Sequence, residues 1–456
     1  MASTAIDMSK HFRTSDLIKY TIPAMVMMLF TSIYSIVDGF FISNFAGKTA
    51  FAAVNLIMPF IVILSAFGFM IGSGGAALVG HARGAGNDKR ANDIFSSITV
   101  FAFLLGIVMA FLGLALMEPV ARLFGADDSM LDDCVLYGRV SMASLPFYIL
   151  QFAFQPLFST AGKPKLGLVI TAAAGITNIV LDFILVGVVG MGVLGAVLAT
   201  VISEYVGGVA SLIYFLSPNS SFLRLHKPKL EWGVIGRACV NGSSQMMNEV
   251  AMSLVSILYN WQLMRLMGQD GVSAYGVIMY VSMIFGALLM GYCMGSAPLM
   301  SYQHGANNDV EKRSLLKHGL WLMVGGGVAA CLLAHLFAAP IAQVFTGYDQ
   351  ELNQLTVYAF KIYSIAFVFM GVSIFGSSLF TALGNGFISA LISFMRTLVF
   401  ECGAVILLPM LIGGDGIWFS VIVAELASVA LTAICIVCLG KFYGLRKQPA
   451  LKAGRA

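Results

Sequence analysis

Asn178 and Asp182 stand four residues apart inside the run 166–189, a stretch of Leu, Ile, Val, Ala and Gly about one bilayer thick. Four residues make about one helical turn, so the two share a face. A carboxylate inside hydrocarbon is costly and marks a functional site by default. Asp38 is a second such carboxylate, seven residues from one end of the apolar run 17–45. At a rise of 1.5 Å per residue, Asp38, Asp182 and Thr200 all fall about 10–12 Å below one membrane surface, with Asn178 a turn deeper. Two carboxylates, an amide oxygen and a hydroxyl at one level could coordinate a small hard cation. Two adjacent carboxylates could equally share one proton, because like charges at close range disfavour each other. Either way the site could be loaded from one side and released to the other, and no organic cofactor is expected.

Six acids lie within apolar runs: Asp38, Asp182, Glu204, Glu249, Glu401 and Glu425. Glu249, near the middle of its run, is a candidate for a second coupling site or for cargo charge. Glu401 is another, with Arg396 as a possible partner. Glu204 and Glu425 are expected to make a structural hydrogen bond that is the same in both. Arg139 and Lys361 are close enough to the run ends to reach water along their stems. On the run 134–159, Phe147, Gln151 and Gln155 are candidates for a cavity wall.

The elements that must position these groups are membrane spans. Of the 456 residues 59% are hydrophobic and 11% charged, where a soluble domain carries about 25% charged. Twelve apolar runs are each long enough to cross, at 17–45, 51–80, 94–117, 134–159, 166–189, 193–217, 237–267, 272–301, 315–338, 354–380, 387–412 and 417–439. The expectation is an all-α polytopic membrane protein in contact with the lipid bilayer. Of 26 Lys and Arg, 20 lie in the two tails and in the loops after runs 2, 4, 6 and 8, including Lys229, Lys447, Lys452 and Arg455. Basic residues mark the cytoplasmic side, so both termini are expected there and the acid pair is expected near the outer surface. The net charge of +4 then needs no nucleic-acid partner.

Shifted by 221 residues, the chain matches itself. Residues 74–88 lie over 295–309 with seven of fifteen positions identical, and the same offset pairs Pro119 with Pro340, Tyr137 with Tyr358 and Glu204 with Glu425. Each copy holds an even number of spans, so both enter the membrane in the same direction. That predicts two six-helix bundles about a pseudo-two-fold axis along the membrane normal: a lobe at 1–217, a cytoplasmic linker at 218–236, and a lobe at 237–456 ending in a short basic tail. Under the offset Asp38, Asn178, Asp182 and Thr200 fall on Tyr259, Val399, Gly403 and Val421, which confines the polar cluster to the first lobe. The turns at 84–88 and 305–309 put Gly and Asn where a positive φ is needed.

Other patterns point to no chemistry. Gly190-Met-Gly-Val-Leu-Gly195 fits G-x-G-x-x-G but joins two membrane runs, without the strand and later acid of a nucleotide site. Cys435 and Cys438 form C-x-x-C on an apolar helix with no second ligand pair. No P-loop and no H-E-x-x-H occurs. The chain is not expected to be an enzyme, and a monomer is expected.

Twelve spans in two halves, Pro23 and Asp38 in span 1, and Asn178-x-x-x-Asp182 in span 5 together resemble the multidrug and toxic compound extrusion (MATE) family. The short loops are closest to its bacterial MepA-like and DinF-like branches. The resemblance implies that Asp38, Asn178, Asp182 and Thr200 match the family's cation site and that Pro23 matches the proline where span 1 bends. Glu249 matches the span-7 acid of the NorM-like branch, but span 10 carries Lys361, Tyr363 and Ser364 and lacks that branch's aspartate. The implied activity is secondary active antiport in a bacterial plasma membrane: export of amphipathic, often cationic small molecules against inward Na⁺ or H⁺, by alternating access of the two lobes. The alternative is a flippase for a lipid-linked precursor, a relative in the wider superfamily.

Overall fold

The computed structural model describes residues 7–227, 230–347 and 349–446, with the side chain of Lys48 left out; Lys229, Lys447, Lys452 and Arg455 lie outside the described residues. Span 1 is Thr14–Ala46, closing on a π-helical turn at Ile42–Ala46. Span 2 is Lys48–Gly84 and span 3 Asp88–Leu123. Span 4 comes in two pieces, Leu131–Met142 and Leu145–Thr160. Spans 5 and 6 are Pro164–Val188 and Gly192–Leu216. Spans 7 and 8 run together as Trp232–Gly305, broken at Gly268 by a non-helical φ of 65° and ψ of −150°. Spans 9 to 12 are Asp309–Thr346, Gln350–Ala382, Gly386–Ile412 and Gly416–Leu439. Among the described residues ten helical stretches are long and apolar enough to cross a membrane. They become twelve passages once 232–305 is divided at Gly268 and the two pieces of span 4 count as one.

The irregularities repeat with the sequence. Gly268 is the mate of Gly47, which turns span 1 into span 2 with a φ of 98°; only glycine takes such a conformation without strain. The break after Met142 has its mate in a 3₁₀ turn, Ser364–Ala366, inside span 10. At the tight turns Gly86 has φ 77°, and Asn307 has φ 54°, the one positive value among the described non-glycine residues. The next residue caps a helix in each copy: Asn87 accepts from the Arg90 N–H and Asn308 from the Glu311 N–H. This satisfies one of the helix's free N–H groups in both repeats.

Each half has its own core. Phe95, Tyr137, Phe154 and Phe215 are buried in the first; Tyr259, Phe360, Phe367 and Trp418 are buried in the second. The lobes meet through spans 1 and 2 against spans 7 and 8, at glycines where backbone touches backbone. A Cβ on Gly84 would lie 1.9 Å from the Tyr302 carbonyl oxygen, and one on its mate Gly305 would lie 2.0 Å from the His81 carbonyl oxygen. Gly242 against Met70 and Gly291 against Ala24 and Met25 are equally close. All these approaches lie in the half of the bundle that carries the chain termini, so the lobes are sealed on that face.

The segment before span 1 crosses the seam. Met8 is 1% exposed and its carbonyl accepts from Gln303 Nε2 at 2.8 Å, while Arg83 of the first lobe reaches its sulfur. The Phe12 N–H donates to Glu311 Oε1 at 3.0 Å, and His11 Nδ1 lies 2.6 Å from Glu311 Oε2. The chain start therefore straps both lobes rather than belonging to the first alone. The described part of the linker lies along span 3, where Asn92, Ser96 and Ser97 accept from the Arg224, His226 and Glu231 N–H groups.

Candidate functional site

Asp38 lies one turn before the π-helical end of span 1, and Asp182 opens a second π-helical stretch, Asp182–Val188. A π turn inserts an extra residue and re-aims the side chains around it. Here the two π stretches pack on each other, and spans 1 and 5 lie side by side. Close approach is possible because Gly175 sits under the Tyr34 ring, with Cδ1 3.1 Å from where a Cβ would be. The Asp38 and Asp182 carboxyls come within hydrogen-bonding reach of each other. Matched depth predicts that they share a level; the π turns set them face to face.

Asp38 is 9% exposed, Asn178 1% and Asp182 0%. Asp38 Oδ1, Asn178 Oδ1 and both Asp182 oxygens meet no donor among the described residues. An ionised carboxylate only accepts, so this pair can bond to itself only by holding a proton. Leaving buried acceptors unserved costs about 1–3 kcal/mol each. A shared proton or a small cation removes that cost. Two carboxylates and an amide oxygen are hard oxygen donors, of the kind that a small hard cation takes.

Tyr137 completes the pocket. Its hydroxyl is buried, stands near Asp38, Glu204 and Asp182, and faces Thr200. Thr200 itself is half-buried on span 6 and joins the group through this tyrosine. The sequence reading uses Tyr137 only as a repeat marker. Its depth was a usable signal: six residues from Leu131 is about 9 Å, close to the level of the acids.

The remaining acids divide by partner. Glu204 accepts from the Ser144 hydroxyl, at the break in span 4. Its mate Glu425 takes Arg396, at 2.6 Å from Nη2 and 2.9 Å from Nε. The expected symmetric bond is therefore absent, because the mate of Ser144 is Ile365 and the mate of Arg396 is Gly175. Arg396 makes its hydrogen bonds across to Glu425 of span 12, and Glu401, its possible partner in the sequence, stands close enough to feel its charge. Glu249 is half-buried on span 7 and lies near the Tyr148 hydroxyl of the first lobe.

The wall between the lobes is one residue out of register with expectation. Phe147 packs inside the first lobe, against Phe103 and Tyr205. Gln151 lies over Gly207 of span 6, and Gln155 is 2% exposed. The residues facing the second lobe are Tyr148 and Phe152, with Phe152 stacked on Phe69 at 4.2 Å and clustered with Met27 and Met294. One residue is a 100° rotation about the helix, and an apolar helix carries little to fix that angle. Pro23 lies in an unbroken helix, one residue from the place where Gly291 touches span 1. Gly190 and Gly192 make an ordinary loop turn with φ of 75° and 58°.

A profile of the MatE family matches residues 23–184 and again 245–403, once in each lobe. The multidrug export protein MepA of Staphylococcus aureus (strain MSSA476) is 24% identical over 434 residues, 92% of each chain. Among solved structures, an outward-facing multidrug resistance MATE family transporter of the MOP superfamily superposes with a TM-score of 0.90 at 18% identity, covering 97% of this chain and 100% of that one. A MOP superfamily transporter from Pyrococcus furiosus gives 0.87 at 19% identity, covering 96% and 99%. With the profile matched over most of its length, the chain belongs to the multidrug and toxic compound extrusion (MatE) family.

Proposed function

We propose that this chain is a secondary active multidrug efflux antiporter, exporting amphipathic, often cationic small molecules in exchange for inward H⁺ or Na⁺. The observation that carries this reading is the buried, face-to-face pair Asp38 and Asp182 with its unserved oxygens. Asn178 and Thr200 are the further candidate ligands, and Tyr137 lies beside them. The two lobes rock about the seam formed by spans 1, 2, 7 and 8, giving alternating access with the termini in the cytoplasm. Pro23 supports a bend in span 1 as the link between site and seam, since a proline leaves the carbonyl four residues before it without a partner. Glu249 is the candidate for cargo charge, because it stands beside the aromatic wall between the lobes.

Charge favours cationic cargo over the anionic headgroup a lipid-linked-precursor flippase would carry. Of the bases within the apolar runs, Arg139 and Lys361 are exposed, and Arg396 is neutralised by Glu425. The test is efflux of a fluorescent organic cation from proteoliposomes, with Na⁺ and pH gradients imposed separately. One gradient should drive efflux, and Asp38→Asn and Asp182→Asn should each abolish it without lowering the amount of folded protein. Full transport by Asp38→Asn contradicts the coupling role; preferential movement of a polyanionic lipid contradicts the cargo class.

A further inference from the structure

A second pocket lies at the termini-bearing face, far from the acid pair. It encloses about 250 Å³ between the end of span 2, the start of span 3 and the start of span 7. Its polar lining is Asn87, His81, Arg90 and Arg237, and its walls include Leu78, Ile94 and Val234. No acid lines it. Arg90 is held by Glu231 through two bonds, at 2.6 and 2.8 Å, and its charge is balanced. Arg237 differs: its Nε donates to the Gly233 carbonyl at 3.2 Å, and no acid among the described residues pairs with it. The pocket thus carries an uncompensated guanidinium over an apolar floor.

Its level in the membrane follows from its neighbours. Trp232, 69% exposed, opens span 7 and meets Phe101 edge-on at 6.2 Å; exposed tryptophans settle at the headgroup layer. Val240, two turns further along span 7, is 61% exposed, which leaves an apolar track running from the pocket into the bilayer. Basic pockets between spans at this depth hold anionic headgroups, and a guanidinium fork matches phosphate oxygens in pairs.

We propose that this crevice is a binding site for the phosphate of an anionic phospholipid, with Arg237 as its charged anchor, Asn87 and His81 as further donors, and the acyl chains along span 7. Its walls come from both lobes, so occupancy is linked to the sealed arrangement of this face.

The full-length protein, mixed with dioleoylphosphatidylglycerol, dioleoylphosphatidylcholine or inorganic phosphate, is examined by native mass spectrometry. Wild type should retain one more phosphatidylglycerol than Arg237→Ala, with about five-fold weaker binding in the variant, the factor that ~1 kcal/mol per basic residue gives. Arg237→Lys should recover part of the loss. Equal retention by wild type and Arg237→Ala, or equal retention of phosphatidylcholine, overturns the proposal. Displacement of the lipid by millimolar inorganic phosphate also overturns it, by showing a site for free anion.

Discussion

The seam between the lobes is set by backbone contact, and a single methyl group should open it. A Cβ at Gly84 would lie 1.9 Å from the Tyr302 oxygen, where an ordinary approach is about 3.3 Å. The obstacle is a carbonyl, not a flexible side-chain tip, so the two helices must part by about 1.4 Å to admit it. Overpacking of this kind costs about 1–3 kcal/mol. If sealed and open arrangements interconvert, that penalty falls only on the sealed one and shifts their ratio roughly 5- to 150-fold. Gly305→Ala should do the same, because its Cβ meets the His81 carbonyl oxygen at 2.0 Å. Gly236→Ala is the control: it lies on span 7 with nothing within 4 Å of its added carbon.

Spin labels at Lys89→Cys and Val310→Cys, which are repeat mates on this face, report the separation in a background lacking the native cysteines. The short distance should dominate in the parent and in Gly236→Ala, and a longer one should grow in Gly84→Ala and Gly305→Ala by similar amounts. An unchanged distance distribution and unchanged thermal midpoint in Gly84→Ala would refute the idea that this contact holds the seam.

Glu425→Gln should destabilise the second lobe by about 3–5 kcal/mol, since it strips the charge partner from Arg396, whose side chain is 13% exposed. Thermal unfolding measures this, and adding Arg396→Met should return most of the loss; a stable single variant would mean the pair carries little. Glu311→Ala removes the acceptor for the Phe12 N–H and for His11, and with that carboxylate 5% exposed it should cost about 1–3 kcal/mol and lower the thermal midpoint by a few degrees. His11→Ala, at a ring 63% exposed, should cost under about 1 kcal/mol; an equal effect of both would place the strap's hold in His11 instead.

Much of this architecture was legible because membrane physics is one-dimensional. Length, hydropathy and the 221-residue offset are read along the chain, and they located the spans and the matched glycines of the turns. Depth is also one-dimensional, which is why Asp38 and Asp182 could be set at one level from residue counts alone. Rotation about a helix axis is not. Phe147 and Gln151 are each one residue from Tyr148 and Phe152 for that reason, and Glu425 was missed as the hydrogen-bonding partner of Arg396 because it lies across a helix-helix contact. The π turns that aim the acid pair share no local pattern: Ile42–Ala46 carries Ser43 and Asn44, while Asp182–Val188 is apolar after its aspartate.

The duplicated frame is used asymmetrically, and packing gives a physical reason. The mate of Asp38 is Tyr259, 0% exposed and stacked on Tyr275 with ring centres 4.7 Å apart. A stacked ring thus stands at the position where the first lobe has a carboxylate, and the mates of Asn178 and Asp182 are Val399 and Gly403. Further along, Glu425 is already neutralised by Arg396, so an arriving cation would find that carboxylate taken. At these two positions the second lobe carries a buried ring and a paired acid, and its remaining acid, Glu401, stands near Tyr259 and Arg396. If the first lobe is the one that loads, as proposed, span 1 meets the second lobe at a backbone contact, Gly291 against Ala24 and Met25 beside Pro23.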